Sequence, residues 1–183
     1  MSRNVLCISG ESLAQEFEEI FREHYQLVYR TAYSVTGSRH DAEDVLQTIF
    51  LRLLQREIPP DLRKSPKAYL YRAAVNLSLN SIRSRKRRKV TGDDVEHLEA
   101  SLATGGSDSG PDDEIQRILL DAIAQLNQRA VEILILRYEH NYSDAEIAKM
   151  LGKSRGTIAV TLYRARARLK KLLRVATSGE EKQ

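Results

Sequence analysis

Residues 143–172 read SDAEIAKMLGKSRGTIAVTLYRARARLKKL, and this stretch predicts two helices joined by a tight turn. Ser143 and Glu146 have the spacing of a capping box, which opens a short helix of about two turns. Gly152 can adopt the left-handed conformation that ends such a helix. A long amphipathic helix follows from about Arg155. This layout is typical of a helix-turn-helix, whose second helix enters the major groove of DNA.

The second helix of this stretch has one apolar face when residues are placed at about 100° intervals. That face consists of Ile158, Leu162, Ala165, Leu169 and Leu172. The N-terminal end, from Ser154 to Thr161, is expected near base edges, and the later arginines and lysines near phosphates. For the basic end alone, an ordinary surface helix is the alternative, because cations also favour helix C-termini.

The whole chain has 183 residues, of which 42% are hydrophobic and 30% are charged, so it has enough apolar material for a core. It has no 18-residue apolar run and no signal-like start, and we therefore expect a cytoplasmic protein. The single cysteine, Cys7, excludes an internal disulfide and a multi-cysteine metal site. The net charge of +4 matters less than where the charges lie.

Apolar residues recur at helical spacing through most of the chain, and no stretch alternates with period two. We therefore expect an all-α fold of two small helical domains, at 11–89 and 113–175, the second containing the helix-turn-helix. Residues 90–112 hold six acidic side chains and no lysine or arginine, which predicts a flexible acidic linker. Residues 59–66, PPDLRKSP, are expected to form a loop.

The first domain contains a helix with a basic end, RSRKRRK at 83–89, preceded by aromatic and amide residues. Aromatic rings stack on unpaired bases and amides hydrogen-bond base edges, so this helix suits melted DNA better than closed duplex. The residues that carry this interpretation are Tyr69, Tyr71, Asn76 and Asn80. Core packing is the alternative for each tyrosine, and a solvated basic run is the alternative for 83–89.

Acidic residues begin the second helix, at Asp41, Glu43 and Asp44. The helix dipole alone is enough to explain them. Since carboxylates repel DNA, this face is also a candidate for binding a protein. The four histidines are scattered and no phosphate-binding glycine loop occurs, so we expect no catalytic residue, no metal site and no cofactor.

Three stretches resemble bacterial sigma factors. FEEIFREHYQLVYRTAYSVTGSRHDAEDVLQTIFLRLLQ at 17–55 and AYLYRAAVNLSLNSIRSRKRR at 68–88 resemble region two. DAIAQLNQRAVEILILRYEHNYSDAEIAKMLGKSRGTIAVTLYRARARL at 121–169 resembles region four. Having these two regions alone, with a short linker, is similar to the extracytoplasmic-function (ECF) group.

The resemblance implies a protein that binds core RNA polymerase, directs it to promoter DNA and promotes melting, under control of an anti-sigma factor. It assigns the helix with Asp41, Glu43, Asp44 and Gln47 to polymerase docking. It implies that the non-template strand of the −10 element is opened and that one base is flipped near Asn76. The residues that it assigns to the −10 element are Tyr69, Tyr71, Arg72, Asn76, Asn80, Arg83, Arg85, Lys86, Arg87 and Arg88. The residues that it assigns to the −35 element are Lys153, Ser154, Arg155, Thr157, Val160, Thr161, Arg164 and Arg168.

The chain departs from the family pattern at two places. Tyr69 stands where the family often has tryptophan. Ala159 and Val160 stand where the recognition helix commonly has a basic residue followed by serine. Alanine makes no bidentate contact to guanine, whereas valine suits a thymine methyl, so a different −35 motif is expected, with Arg155 taking part in its reading. The alternative function is a conventional helix-turn-helix regulator that binds duplex DNA without polymerase.

Overall fold

The structure is a computed structural model. It describes the backbone of residues 5–55, 59–91 and 111–180, and the side chains of 14–55, 59–88 and 114–175. Within these ranges all secondary structure is helical, as the sequence predicts. The helices are α1 (Val5–Thr36), α2 (Arg39–Leu54), α3 (Pro60–Lys64), α4 (Pro66–Thr91), α5 (Pro111–Ala124), α6 (Gln128–Tyr138), α7 (Asp144–Leu151) and α8 (Arg155–Glu180).

We call α1–α4 the N-terminal module and α5–α8 the C-terminal module. The expected linker at 90–112 is shorter at both ends, since α4 continues to Thr91 and α5 begins at Pro111. The rest of that segment lies outside the described residues. Helix α8 continues to Glu180, beyond the expected domain end at 175.

The N-terminal module is held together by one face from each of its helices. Helix α2 begins at Ser38, whose side chain accepts a hydrogen bond from the backbone N–H of Asp41. The buried residues of this core lie at helical spacing, which is why the sequence pattern reveals them. They are Ile20, Val28, Ala32, Ala42, Val45, Ile49, Phe50, Leu53, Leu62, Leu70 and Ala74.

The expected loop at 59–66 is wrong in part, because Pro60–Lys64 form the short helix α3. Proline is well tolerated at the first position of a helix, where its missing N–H has no intrahelical partner to lose. Leu62 of α3 is fully buried, so this short helix contributes to the N-terminal core. Two adjacent prolines therefore mark the start of a helix here as well as the end of the previous one.

The helix-turn-helix forms as expected. Ser143 and Glu146 make both bonds of the capping box, and Gly152 ends α7 with φ of +64° and ψ of 45°. Ile158, Leu162 and Ala165 of α8 are buried against α6 and α7, and Leu169 and Leu172 pack at the edge of the same core. Ala148 is buried where α7 crosses α8, so its small side chain permits the close approach.

The two modules pack against each other. Val35, Tyr71, Val75 and Leu79 of the N-terminal module belong to the same apolar cluster as the C-terminal core. Gly37, with φ of +68°, lies so close to α5 that a Cβ atom there would approach Leu120 Cδ1 to 2.4 Å. The contact surface of α4 is therefore a structural element of both modules.

Candidate nucleic-acid and polymerase interface

The N-terminal turns of α8 present the surface expected to meet duplex DNA. With Ile158 placed at 0°, Gly156, Val160 and Tyr163 fall between about 140° and 200°, on the side away from the core. Val160 is 49% exposed and Tyr163 is 73% exposed. Lys153, Ser154 and Arg155, at the turn and first residue of α8, are exposed as well. The structure therefore leaves this face open, as the sequence predicts.

The hydroxyl groups on this surface form bonds within α8. Ser154 Oγ accepts from the backbone N–H of Thr157 at 3.1 Å and lies 2.9 Å from Thr157 Oγ1. Thr161 Oγ1 donates to the carbonyl of Thr157 at 2.7 Å. These three side chains thus cap and brace the first turns of the helix.

The later basic residues of α8 differ in their surroundings. Arg164 and Arg168 are exposed, which suits phosphate contacts. Arg166 instead lies over the ring of Tyr138, with its guanidinium carbon 5.5 Å from the ring centroid and Nε donating to the Tyr138 hydroxyl at 2.5 Å. Arg166 therefore joins α8 to α6.

Helix α4 carries the expected −10 residues on two different faces. Tyr69, Asn76, Asn80 and Arg87 fall within about 20° of one direction, and we call this line the α4 stripe. Asn80 and Arg87 are exposed, and Tyr69 and Asn76 are partly buried. Tyr71 lies on the opposite side of the helix and is fully buried. The two tyrosines of the expected −10 set thus have different environments.

Three members of the expected −10 set bond to backbone carbonyls of the C-terminal module. The Tyr71 hydroxyl donates to the carbonyl of Glu132. Arg72 donates to the carbonyl of Leu151 at 3.1 Å. Arg83 donates from Nε to Ala124 at 3.1 Å and from its terminal nitrogen to Leu126 at 2.7 Å. Lys86 adds an ion pair with Asp121 at 3.5 Å.

The arginine contacts satisfy carbonyls that the helices cannot satisfy themselves. Ala124 ends α5 and Leu151 ends α7, and the last carbonyls of a helix have no intrahelical partner. Arg83 and Arg72 are therefore capping groups across the module boundary. Burial and the nearby Glu132 carboxylate raise the pKa of Tyr71 well above its usual value. The hydroxyl accordingly stays protonated and remains a donor.

A second group of contacts joins α1 and α4 to the segment after α6. Arg30 and Glu139 form an ion pair at 3.0 Å. Thr31 Oγ1 lies 2.9 Å from His140 Nε2, and Lys67 lies over the Tyr142 ring, 4.9 Å from its centroid. Burial, with Arg30 and Lys67 nearby and Glu139 opposing, lowers the pKa of His140.

The acidic surface of α2 is open at Glu43, Asp44 and Gln47, which share one face of the helix. Two leucines on that face are also exposed, Leu51 at 52% and Leu54 at 59%. Neither leucine is among the residues expected to bind polymerase, although their spacing from Glu43 and Gln47 places them on the same side. The surface is therefore acidic at one end and apolar at the other.

Asp41 differs from its neighbours. Its side chain is only 15% exposed and forms an ion pair with Arg85 of α4. The expected docking residue thus links α2 to the basic end of α4. His40 and Asp44 pair nearby at 3.2 Å, and the His40, Asp41 and Asp44 ligand atoms lie within 4.8 Å of one another, an arrangement common among exposed acidic groups without a metal.

Comparisons with known proteins give a separate family match for each of the two modules. The family model Sigma-70 region 2 matches residues 20–88, and Sigma-70, region 4 matches residues 116–169. The RNA polymerase sigma-E factor of Streptomyces coelicolor is 32% identical over 164 residues, covering 90% of this chain and 88% of the relative. This chain belongs to the ECF sigma factors of RNA polymerase.

A second relative gives the same result. The ECF RNA polymerase sigma factor SigL of Mycobacterium tuberculosis is 30% identical over 166 residues, covering 86% of this chain and 90% of the relative. A solved complex of the sigma factor RpoE with the anti-sigma factor NepR from Bartonella quintana aligns with 25% identity and a TM-score of 0.49, over 88% of this chain and 98% of that chain. Among the described residues of this sigma factor, no helix is long and apolar enough to cross a membrane.

Most residues of this sigma factor that are expected to read the −35 element are exposed on α8 and the turn before it, whereas those expected at the −10 element are divided between two faces of α4. Arg72, Arg83 and Lys86 are expected −10 residues, yet in this arrangement they bond to the C-terminal module. The faces of α4 follow from helical periodicity, so Tyr71 and Tyr69 were separable from sequence. The carbonyls that Arg72 and Arg83 contact cannot be predicted from the sequence, because every residue type has the same backbone acceptor.

Proposed function

We propose that this sigma factor uses three separate surfaces to bring core RNA polymerase to a promoter. The exposed face of α2 binds polymerase, the α4 stripe and its basic end hold the melted −10 element, and the N-terminal turns of α8 read the −35 element. It acts in the cytoplasm as a binding subunit without catalytic chemistry of its own. The observation that carries the proposal is the open N-terminal face of α8 on a helix-turn-helix, joined in one chain to the α4 stripe.

The polymerase surface combines charge and apolar area. Glu43, Asp44 and Gln47 supply hydrogen-bond acceptors and negative charge, while Leu51 and Leu54 supply exposed apolar side chains at one end. Such a mixture is typical of a protein interface, with apolar contacts surrounded by polar ones. It is unsuited to DNA, whose phosphates repel carboxylates.

The −10 surface has an accessible part and a covered part. The α4 stripe offers Tyr69 for stacking and the amides of Asn76 and Asn80 for base edges. Tyr71, Arg72 and Arg83 contact the C-terminal module instead. Full use of the −10 set therefore requires the modules to separate, and we propose that binding to polymerase stabilises the separated arrangement.

Run-off transcription with purified bacterial core polymerase and genomic fragments tests the sigma function. Discrete transcripts that appear only when this protein is added are the expected result, and alignment of their start sites would show both promoter elements. Tight duplex binding without polymerase, together with no transcripts, would favour the conventional regulator.

The docking surface has its own test, based on charge reversal at an exposed position. Asp44→Lys is expected to weaken binding to core polymerase at least tenfold, by replacing an attractive charge with a repulsive one at the interface. Glu19→Lys, which reverses an exposed charge on α1, is the matched control and should bind normally. Equal binding by both variants would assign the polymerase contact to another face.

An anti-sigma factor is a further proposed partner, expected from the family. A polar-rimmed apolar groove of about 880 Å³ lies between the modules, with Tyr33, Leu120 and Leu134 among its lining residues. It lies away from the exposed face of α2. Which surface an anti-sigma factor covers is therefore measurable, by comparing its binding to the wild-type protein and to Asp44→Lys.

A further inference from the structure

The part of α8 that faces away from the core has an unusual chemical character for a DNA-reading helix. Its outermost positions over the first turns are Gly156, Val160 and Tyr163, with Ala159 exposed beside them. Val160 and Tyr163 present large apolar surfaces to solvent, at 49% and 73% exposure. A direct hydrogen-bonding helix would present arginine, asparagine or glutamine at these outermost positions.

The hydroxyl side chains around this surface are already oriented by the helix. Ser154 accepts the Thr157 N–H at 3.1 Å, and the hydroxyls of Ser154 and Thr157 lie 2.9 Å apart. Thr161 donates its hydroxyl proton to the Thr157 carbonyl at 2.7 Å. One of the Ser154 and Thr157 hydroxyls donates to the other and Thr161 donates to a carbonyl, so at most one of the three hydroxyl protons can reach a base edge without breaking a bond that braces the helix.

Arg155 and Arg168 lie to the sides of the apolar surface, and Arg164, at about 240° when Ile158 is at 0°, lies next to Val160. With Ile158 at 0°, Arg155 falls at about 60° and Arg168 at about 280°, whereas Val160 falls at about 200°. Positive charges on both flanks suit the two phosphate backbones that border a major groove. This distribution identifies duplex DNA, rather than an apolar protein surface, as the occupant of the exposed face.

We propose that α8 recognises the 5-methyl groups of thymine in the −35 element, with Val160 as the main specificity-determining residue and Tyr163 packing beside it. The thymine methyl is the apolar feature that the major groove offers, and small apolar side chains contact it directly. This inference rests on the proposed function, since it specifies what the −35 surface reads.

Deoxyuridine tests this directly, because it differs from thymine only by the missing methyl group and keeps the same base pairing. Thymines of a −35 element mapped by run-off transcription are replaced one at a time, and transcription by polymerase with this sigma factor is measured. We expect one or two positions at which deoxyuridine lowers transcription about three- to fivefold, as for loss of one apolar contact of methyl size. Deoxyuridine between the two promoter elements serves as the template control.

Variants of α8 then assign the effect to a side chain. Val160→Ala is expected to lower transcription from the thymine template while removing the difference between thymine and deoxyuridine at one position. Arg168→Ala is the control variant, and it should weaken all templates alike and reduce the dependence on salt. Val160 is exposed, so this truncation leaves the core of α8 untouched.

The outcomes separate this inference from the proposed function. Transcripts from the unmodified template, with no sensitivity to deoxyuridine anywhere in the −35 element, would overturn methyl recognition while leaving the sigma function intact. Sensitivity that persists unchanged in Val160→Ala would overturn the role of Val160. Absence of transcripts from every template would contradict the proposed function itself.

Discussion

The two surfaces of this sigma factor that we propose to bind DNA differ in what covers them. The N-terminal face of α8 is exposed along its first turns, with Val160 and Tyr163 directed outward. The basic half of α4 shares its surface with the C-terminal module, through Tyr71, Arg72 and Arg83. In this arrangement the duplex-reading surface is accessible, whereas the melted-strand surface is only partly so.

The covered surface is held in part by hydrogen bonds for which DNA phosphates are alternative acceptors. Arg72 and Arg83 donate to neutral backbone carbonyls, and phosphates accept stronger, charge-assisted bonds from the same guanidinium groups. Under the proposed function, the module contact and the −10 element therefore compete for the same donors. Tyr71 is an exception, because it is buried in apolar surroundings and its contact has no DNA equivalent.

Truncation of the buried Tyr71 should have the largest effect on the contact between the modules. Tyr71→Ala removes a fully buried ring from the cluster shared by both modules, which we expect to cost about 3–5 kcal/mol. The modules should separate without DNA or polymerase. Energy transfer between dyes on α2 and α8, after Cys7→Ser, measures the separation.

Two further variants control for loss of the fold. Tyr69→Ala, on the opposite face of α4, should leave energy transfer unchanged, since Tyr69 packs at the N-terminal core. Tyr71→Phe keeps the ring and removes only the donor to the Glu132 carbonyl, so an intermediate opening of about 1–3 kcal/mol is expected. Equal behaviour of the two alanine variants would show that Tyr71 does not hold the modules together.

Charge reversal in the Arg30–Glu139 ion pair should have a smaller effect on the separation of the modules. Arg30 and Glu139 pair across the modules at 3.0 Å, with side chains 60% and 36% exposed. Exposed pairs contribute about 0.2–1 kcal/mol, so Glu139→Arg, which adds repulsion, should favour opening by about 1 kcal/mol, or about fivefold. The same dyes report the change, which should decrease at high salt.

Restoration of the pair makes that prediction specific. The double variant with Arg30→Glu and Glu139→Arg recreates the opposite charges in swapped positions and should return energy transfer to the wild-type value. Neither residue belongs to the expected polymerase or DNA surfaces, so transcription at saturating polymerase should change little. Failure of the swap to restore closure would mean that Glu139→Arg acts through another contact.

Much of this architecture was readable from the sequence because it is local. The capping box at Ser143, the turn at Gly152 and the buried line beginning at Ile158 depend on residues within a few positions of each other. The module contact joins residues far apart, such as Arg83 and Leu126, and its acceptors are carbonyls common to every residue type. Helix α3 was not predicted, because the proline pair indicates the end of a helix and a loop after it; the structure shows that Leu62 within this segment is buried.

The half-buried His140 gives the smallest expected effect, through the dependence of the module contact on pH. His140 lies 2.9 Å from Thr31, edge-on to the Tyr71 ring and stacked near Tyr142. Its pKa is lowered by burial, with Arg30 and Lys67 acting in the same direction and Glu139 against it. His24, which lines the same groove as Lys67 and His140, also has a pKa lowered by burial, opposed by Glu23 and assisted by Lys67.

The sign of the effect follows from this lowered pKa. Separation exposes His140 and returns its pKa toward about 6.5, so the open arrangement binds the proton more tightly. The closed contact is then at full strength above that value and weakens as the pH falls through it toward the lowered pKa. Energy transfer should therefore decrease between about pH 7.5 and pH 5.5, by less than in Glu139→Arg. His140→Gln should flatten most of that dependence and leave the part due to His24; an unchanged profile would remove His140 as its source.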